Sequence, residues 1–458
     1  MVTFLDVLER TQTGPICKPR DWDIKIVPTN VSEVLKGRDI KCDPDNPVCM
    51  DDDLADKVYE AGFELALRLG VLCLDTQRII KISEEELKEA INEAASTATY
   101  GRGLDAVTIR NRKPEERRAP LVSSGPFGTV VSEELWLPIH QSFAQYKTID
   151  RMSQGTLKTV YSRELRSGTP FEFLGGILEI KLTKEAIRRA GRPGMPTGGV
   201  QTDITGLGFM GGWTFGGLTN TDYPAVSMAS ELKTTYYLLT NVAYIHEAQA
   251  QLQAYHHPII GGYAGGSEGT AVMRVASILL LLAAYKPTKA GATCMDSRYL
   301  GNCGRQALWA NSVSSQALSR NTHVLFGTND NPVSGSGTDT LLYEAAACAI
   351  ASVASGDTTI TGPRVAQVPD HTSGLEGKFF GEVIRASITL KRSDANCMVK
   401  QLIPKYENRL SQPPAGKPFT ELFDVKTLKP AKEWLDSYLR VKRELKDLGL
   451  PEHPYSST

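Results

Sequence analysis

Apolar residues in the N-terminal part of the chain recur at helical rather than strand spacing. Leu54, Val58, Ala61, Leu65 and Leu69 fall on one helix face, and Ser83 with Glu86 makes a capping-box pattern ahead of Leu87 and Ile91. The spacing predicts a helical segment over residues 1–115 that packs on the unit following it. From about Ala119 to Leu390 the pattern changes. Short apolar runs of strand type, APLVSS, GGILEI, PIIGGY and HVLFGT, alternate with longer helical stretches such as SEELWLPIHQSFA and TDTLLYEAAACAIASVA. Repeated strand, loop and helix units predict a parallel sheet covered by helices. At this length its commonest closed form is the (β/α)8 TIM barrel, an α/β fold, which we assign to residues 116–410. Residues 411–458 supply a Pro-rich connector, QPPAGKPF, and a charged amphipathic helix from Lys429 to Gly449.

The longest apolar run, Val275 to Tyr285, is far shorter than the ~20 residues of a membrane span, and Arg274 precedes it. It reads as a buried helix, and no membrane partner is expected. The 51 Lys and Arg residues balance 52 Asp and Glu for a net charge of −1. No basic run interleaves with aromatics, which argues against a nucleic-acid partner. The opening MVTFLDVLERTQTG places acids where a secretory signal needs a basic segment, so a cytoplasmic location is expected. None of the eight Cys forms a C-x-x-C pair, and reduced thiols are expected. Cys294 and Cys303 bracket one short segment but lack nearby His ligands, so no metal site is expected.

Ten of the thirty residues from Gly191 to Asn220 are Gly, with little charge among them. That density predicts a loop-built site where backbone approaches a ligand closely. Further Gly-rich loops are SSGPFGT, GGYAGGSEG, YLGNCG and GTNDNPVSGSGT. None has the spacing of a phosphate-cradling loop.

Several segments together resemble the monomethylamine:corrinoid methyltransferases of methylotrophic methanogens. They include Asp75-Thr76 with Arg78-Ile79, Gly125-Pro126 with His140, Ala190 to Met195, Glu231-Leu232-Lys233, Gly261 to Gly266, Gly381-Glu382-Val383, and Pro414 to Lys417 with Asp424 to Thr427. They occur in the same order along essentially the whole chain. The resemblance implies a TIM barrel, a cytoplasmic enzyme, a homo-oligomer, and a cognate corrinoid protein whose cobalamin accepts the methyl group. It implies no permanently bound cofactor.

In that family pyrrolysine follows the Arg-Pro-Gly-Met pattern, and the same register places Gly198 at its position. The register also puts Tyr255 where the family carries an acidic residue, Ala225 where it carries a second, and Asn329 and Asn331 at a polar pair. The chain therefore resembles a member that lacks pyrrolysine and its electrophilic imine. In this class of reaction the departing nitrogen must be cationic, and a quaternary ammonium meets that requirement without covalent help. Such groups are held by aromatic faces, each worth ~0.5–2 kcal/mol. Trp213, Phe215, Tyr223, Tyr255 and Tyr263 are the candidate aromatics, with His256 and His257 beside them. Asp222 and Glu268 are candidate counter-charges, although a carboxylate opening a helix also serves as a cap. Arg298 and Arg305 suit a substrate carboxylate, such as a betaine presents, or pairing within the barrel wall. The leading reading is methyl transfer from a quaternary or otherwise pre-activated N-methyl compound to a corrinoid protein. The alternatives are a barrel enzyme of another class acting on a small anion, and a non-catalytic relative that docks a corrinoid protein.

Overall fold

The computed structural model describes residues 2–365 and 368–452. Seven strands form one parallel sheet in the order Arg151–Met152, Leu121–Ser124, Thr359–Thr361, Phe326–Asn329, Lys289–Ala292, Gln253–His256 and Ala225–Ser227. The remaining gap is closed by residues 197–198, bridged in parallel to Met152 on one side and to Tyr223 on the other. Met152 N donates to Pro196 O at 3.0 Å, Gly198 N to Met152 O at 3.1 Å, and Tyr223 N to Thr197 O at 3.1 Å. Taken in chain order, these eight positions close a TIM barrel, as expected.

A helix follows each position. They are Glu133–Ala144, Pro170–Arg189, Leu207–Gly211, Tyr236–Glu247, Ser267–Tyr285, Arg305–Asn321, Asp339–Ala354 and Gly374–Ala386. The helix Ser267–Tyr285 is longer than its apolar run and is, by length and composition alone, long enough to cross a membrane, but 94% of its apolar window is buried inside the protein. Barrel strands cover one face and the N-terminal helix Asp52–Leu69 covers another. A helix covered on all sides has no polar face to show, hence its unbroken hydrophobicity. Ser83 and Glu86 form the capping box of helix Glu84–Glu93. At the other end of the chain, Trp434, Tyr438, Val441 and Leu445 make the buried stripe of helix Lys432–Asp447, which packs on Asp339–Ala354 and Gly374–Ala386.

Three expectations change. GGILEI lies inside helix Pro170–Arg189, not in a strand. Its Gly176 lets the helix press onto the segment beyond residue 198, because a Cβ there would stand 1.9 Å from Gly208 O. PIIGGY supplies only Ile259–Ile260, paired with Met295–Asp296 outside the barrel sheet. The N-terminal segment is not wholly helical: Thr97–Tyr100 and Val107–Arg110 form an antiparallel hairpin. The hairpin closes the end of the barrel where the strands begin. Tyr100 is buried there, accepts a hydrogen bond from Gln253 Nε2 at 2.6 Å, and meets the Tyr223 ring edge-on.

Candidate active site

Alternate residues of a barrel strand point inward, so each short strand offers one or two side chains to the interior. At the C-terminal ends these converge on a cavity of about 250 Å³, room for a small molecule. Arg151, Ser153 and Gln154 come from one strand end, Gly198 and Val200 from the bridging segment, and Tyr223 and Ser227 from the next. Tyr255 and His257 follow, then Asn329 and Thr361, while Phe127 and Asp203 stand on loops above and Phe209 and Tyr237 on helices Leu207–Gly211 and Tyr236–Glu247. A second groove of about 230 Å³ lies against the C-terminal helix, between Glu382 and Pro451, far from the strand ends.

Beyond the Gly198 Cα, a Cβ would sit 3.0 Å from Gln154 Oε1 and 3.5 Å from the Tyr223 ring. Gln154 is itself fixed, donating to Gly198 O at 3.1 Å and accepting from Thr197 Oγ1 at 3.1 Å. Two carboxylates of helix Pro170–Arg189 hold the loop that follows. Glu179 takes Gln201 N and Thr202 N, both at 2.8 Å, and Glu172 takes Ile204 N and Thr205 N.

Deeper in the barrel, Lys289 Nζ donates to Tyr255 Oη at 3.0 Å. Burial alone would raise the phenol's pKa, but the charges of Lys289 and Arg151 outweigh it and bring Tyr255 down to about 8. Burial also depresses the Lys289 ammonium. His257 is brought down to about 4 by burial and by the charge of Arg364, so its imidazole is neutral at pH 7. Its Nδ1, Asn329 Oδ1, Thr361 Oγ1 and two nitrogens of Arg151 are buried without a hydrogen-bond partner. Unpaired polar atoms of this kind around one cavity mark a place for a ligand.

Of the residues expected in the site, Gly198, Tyr223, Ala225, Tyr255, His257 and Asn329 line this cavity. The others lie elsewhere. His256 alternates with Tyr255 and faces outward, accepting from Leu232 N at 3.3 Å with Glu231 Oε2 at 3.5 Å. Residues 207–216 are helical rather than looped, which turns Trp213 onto Phe209 and Tyr244, while Phe215 is 64% exposed against Phe173. Tyr263 is half exposed outside the barrel, with Lys233 Nζ 5.7 Å from its ring centroid. Asp222 anchors the bridging segment by accepting from Thr197 N at 2.9 Å and from Lys184 Nζ at 2.6 Å. Glu268 accepts from Cys42 N at 2.9 Å, joining the N-terminal segment to helix Ser267–Tyr285. Arg298 is spent on Asp296 and Gln306, Arg305 on Glu407, and Asn331 on Asn329 O at 2.7 Å. Arg151, Gln154, Phe127, Phe209, Asp203 and Tyr237 also line the cavity without having been singled out as site residues. The parity that excludes His256 selects His257.

Comparison with known proteins accords with this geometry. The family model described as monomethylamine methyltransferase MtmB matches residues 2–450. The chain is 33% identical over 449 residues to the monomethylamine methyltransferase MtmB of Methanosarcina mazei, covering 97% of each chain. The crystal structure of the Methanosarcina barkeri monomethylamine methyltransferase matches with a TM-score of 0.95 at 32% identity, covering 98% of both chains. The crystal structure of a hydroxylamine MtmB complex matches to the same extent. With the family match, the sequence identity and the structural similarity all running nearly the length of the chain, it belongs to the monomethylamine methyltransferase MtmB family of enzymes.

Proposed function

We propose that this chain moves a methyl group from a small N-methylated compound to the cobalt of a corrinoid carried by a partner protein, and that the donor nitrogen arrives already cationic. Its family supports the methyl transfer. The observation that supports a pre-activated donor is residue 198, a Gly whose side-chain direction is bounded by Gln154 and Tyr223. Among the described residues, no electrophilic side chain lines the cavity to capture a neutral amine. The donor's C–N bond breaks with the electron pair going to nitrogen, which leaves as a neutral amine, and the methyl carbon bonds to a cobalt(I) that ends formally as cobalt(III). The chain's own part is to hold the donor in line and keep water away. Phe127, Phe209, Tyr223 and Tyr237 supply the aromatic surface, and neutral His257 adds no positive charge against the ammonium.

The test is spectroscopic. The full chain with cob(I)alamin and a quaternary N-methyl donor should consume the cobalt(I) absorption as methylcobalamin grows in, with monomethylamine giving no change. An unchanged spectrum with quaternary donors, or equal turnover of monomethylamine, overturns the reading.

A further inference from the structure

Two buried cations meet at the base of the cavity, and no carboxylate among the described residues is in contact with either, although Asp357 acts on Lys289 from farther off. Arg151 is fully buried, and its guanidinium carbon lies 3.8 Å from the Tyr223 ring centroid. Nη1 donates to Gln253 Oε1 at 3.3 Å and the guanidinium also reaches toward the Tyr255 phenol, while Nε and Nη2 have no partner within hydrogen-bond distance. Lys289, equally buried, is bonded to Tyr255 Oη. Among the described residues, neither cation forms an ion pair with a carboxylate. A buried guanidinium with two unmet donors is costly, and an incoming anion relieves the cost by accepting both. The mouth carries the opposite sign. Asp203, on the loop beyond residue 198, is fixed there by Tyr237 Oη, Gly206 N and Phe209 N.

We propose that the cavity selects a zwitterionic donor, an N-methylated amino acid whose carboxylate is received by Arg151 and whose methylated ammonium lies toward Asp203 and the mouth. The charge gradient then orients the molecule, presenting its methyl group outward where a large methyl acceptor can reach it. The orientation rests on the methyl-transfer reading; the carboxylate preference does not.

Glycine betaine and choline share a trimethylammonium group and differ in the carboxylate, so they isolate this contact. Calorimetry on the full chain, without corrinoid, should show betaine bound about tenfold to a hundredfold more tightly than choline, as expected for a charge-assisted contact. Acetate should compete with betaine. Arg151→Met should bring betaine down to the affinity of choline, while Arg151→Lys restores part of the difference. Equal binding of betaine and choline by the unmodified chain, or no binding of acetate and betaine, overturns the proposal. So does acetate that strengthens choline binding, since the pole would then take a separate anion. Carboxylate-selective binding without methylcobalamin formation leaves the anion pole standing and removes the methyl-transfer reading; methyl transfer without carboxylate preference does the reverse.

Discussion

Tyr255 carries the most informative charge state in the cavity. A phenol whose folded pKa of about 8 lies below its ordinary value of about 10 holds fewer protons folded than unfolded between those limits. Its ionisation therefore contributes stability that is complete above about pH 10 and is lost as pH falls through 8. Below 8 the neutral phenol adds no negative charge beside Arg151 and Lys289; above 8 the phenolate cancels one of theirs. Carboxylate ligands should consequently bind more weakly as pH rises through 8. A pH titration of tyrosinate absorption should show one early step near pH 8 that Tyr255→Phe removes, and a first step only near pH 10 contradicts the assignment. Much of the site at this scale was only half legible. Alternation separates His256 from His257 but does not say which faces in, because both faces of a barrel strand are buried. Arg151 sits in the two-residue strand Arg151–Met152, too short to show a period, and its burial comes wholly from closure of the barrel.

Elements with a long period or a local cap were readable, and those defined by tertiary contact were not. Helix Asp52–Leu69 and the box at Ser83 follow from spacing alone. The third barrel position, residues 197–198, is defined by neighbours on both sides rather than by a run of its own, so composition marked it only as a Gly-rich loop. GGILEI is short enough to fit a strand or a buried helix, and only the surrounding twenty-residue helix Pro170–Arg189 decides. Its Gly176 offers a test of how tightly that helix carries the loop beyond Gly198. Gly176→Ala drives a methyl into the Gly208 carbonyl, a backbone atom that cannot rotate aside. The variant should lose about 1–3 kcal/mol of stability and weaken ligand binding, since Glu172 and Glu179 on the same helix hold the cavity loop. A denaturation midpoint and ligand affinity equal to those of the unmodified chain would show that the two segments move apart freely.

At the scale of the whole molecule, barrel and helical layer are joined by a polar network centred on Arg274. Read along the chain, this residue only interrupts an apolar stretch. In the fold it is fully buried, and its guanidinium gathers Ala292 O, Asn311 O, Ser314 Oγ, Ser315 Oγ and Thr328 Oγ1 within 2.7–2.9 Å. Asp357, equally buried, stands 3.8 Å away and accepts from Ser315 and Thr328. The bonds tie helix Ser267–Tyr285 to helix Arg305–Asn321 and to two neighbouring barrel strands. Removing one partner of such a pair leaves the other charge stranded, at a cost of about 3–5 kcal/mol, whereas removing both is far milder. Arg274→Met should therefore lower the unfolding free energy by about that amount, and adding Asp357→Asn should recover part of the loss. Strict additivity of the two single-variant effects in denaturant unfolding would mean the pair is not coupled. Because Arg151 makes none of these bonds, the folded Arg274→Met protein should keep its carboxylate selectivity, which separates the stability of the barrel from the chemistry at its mouth.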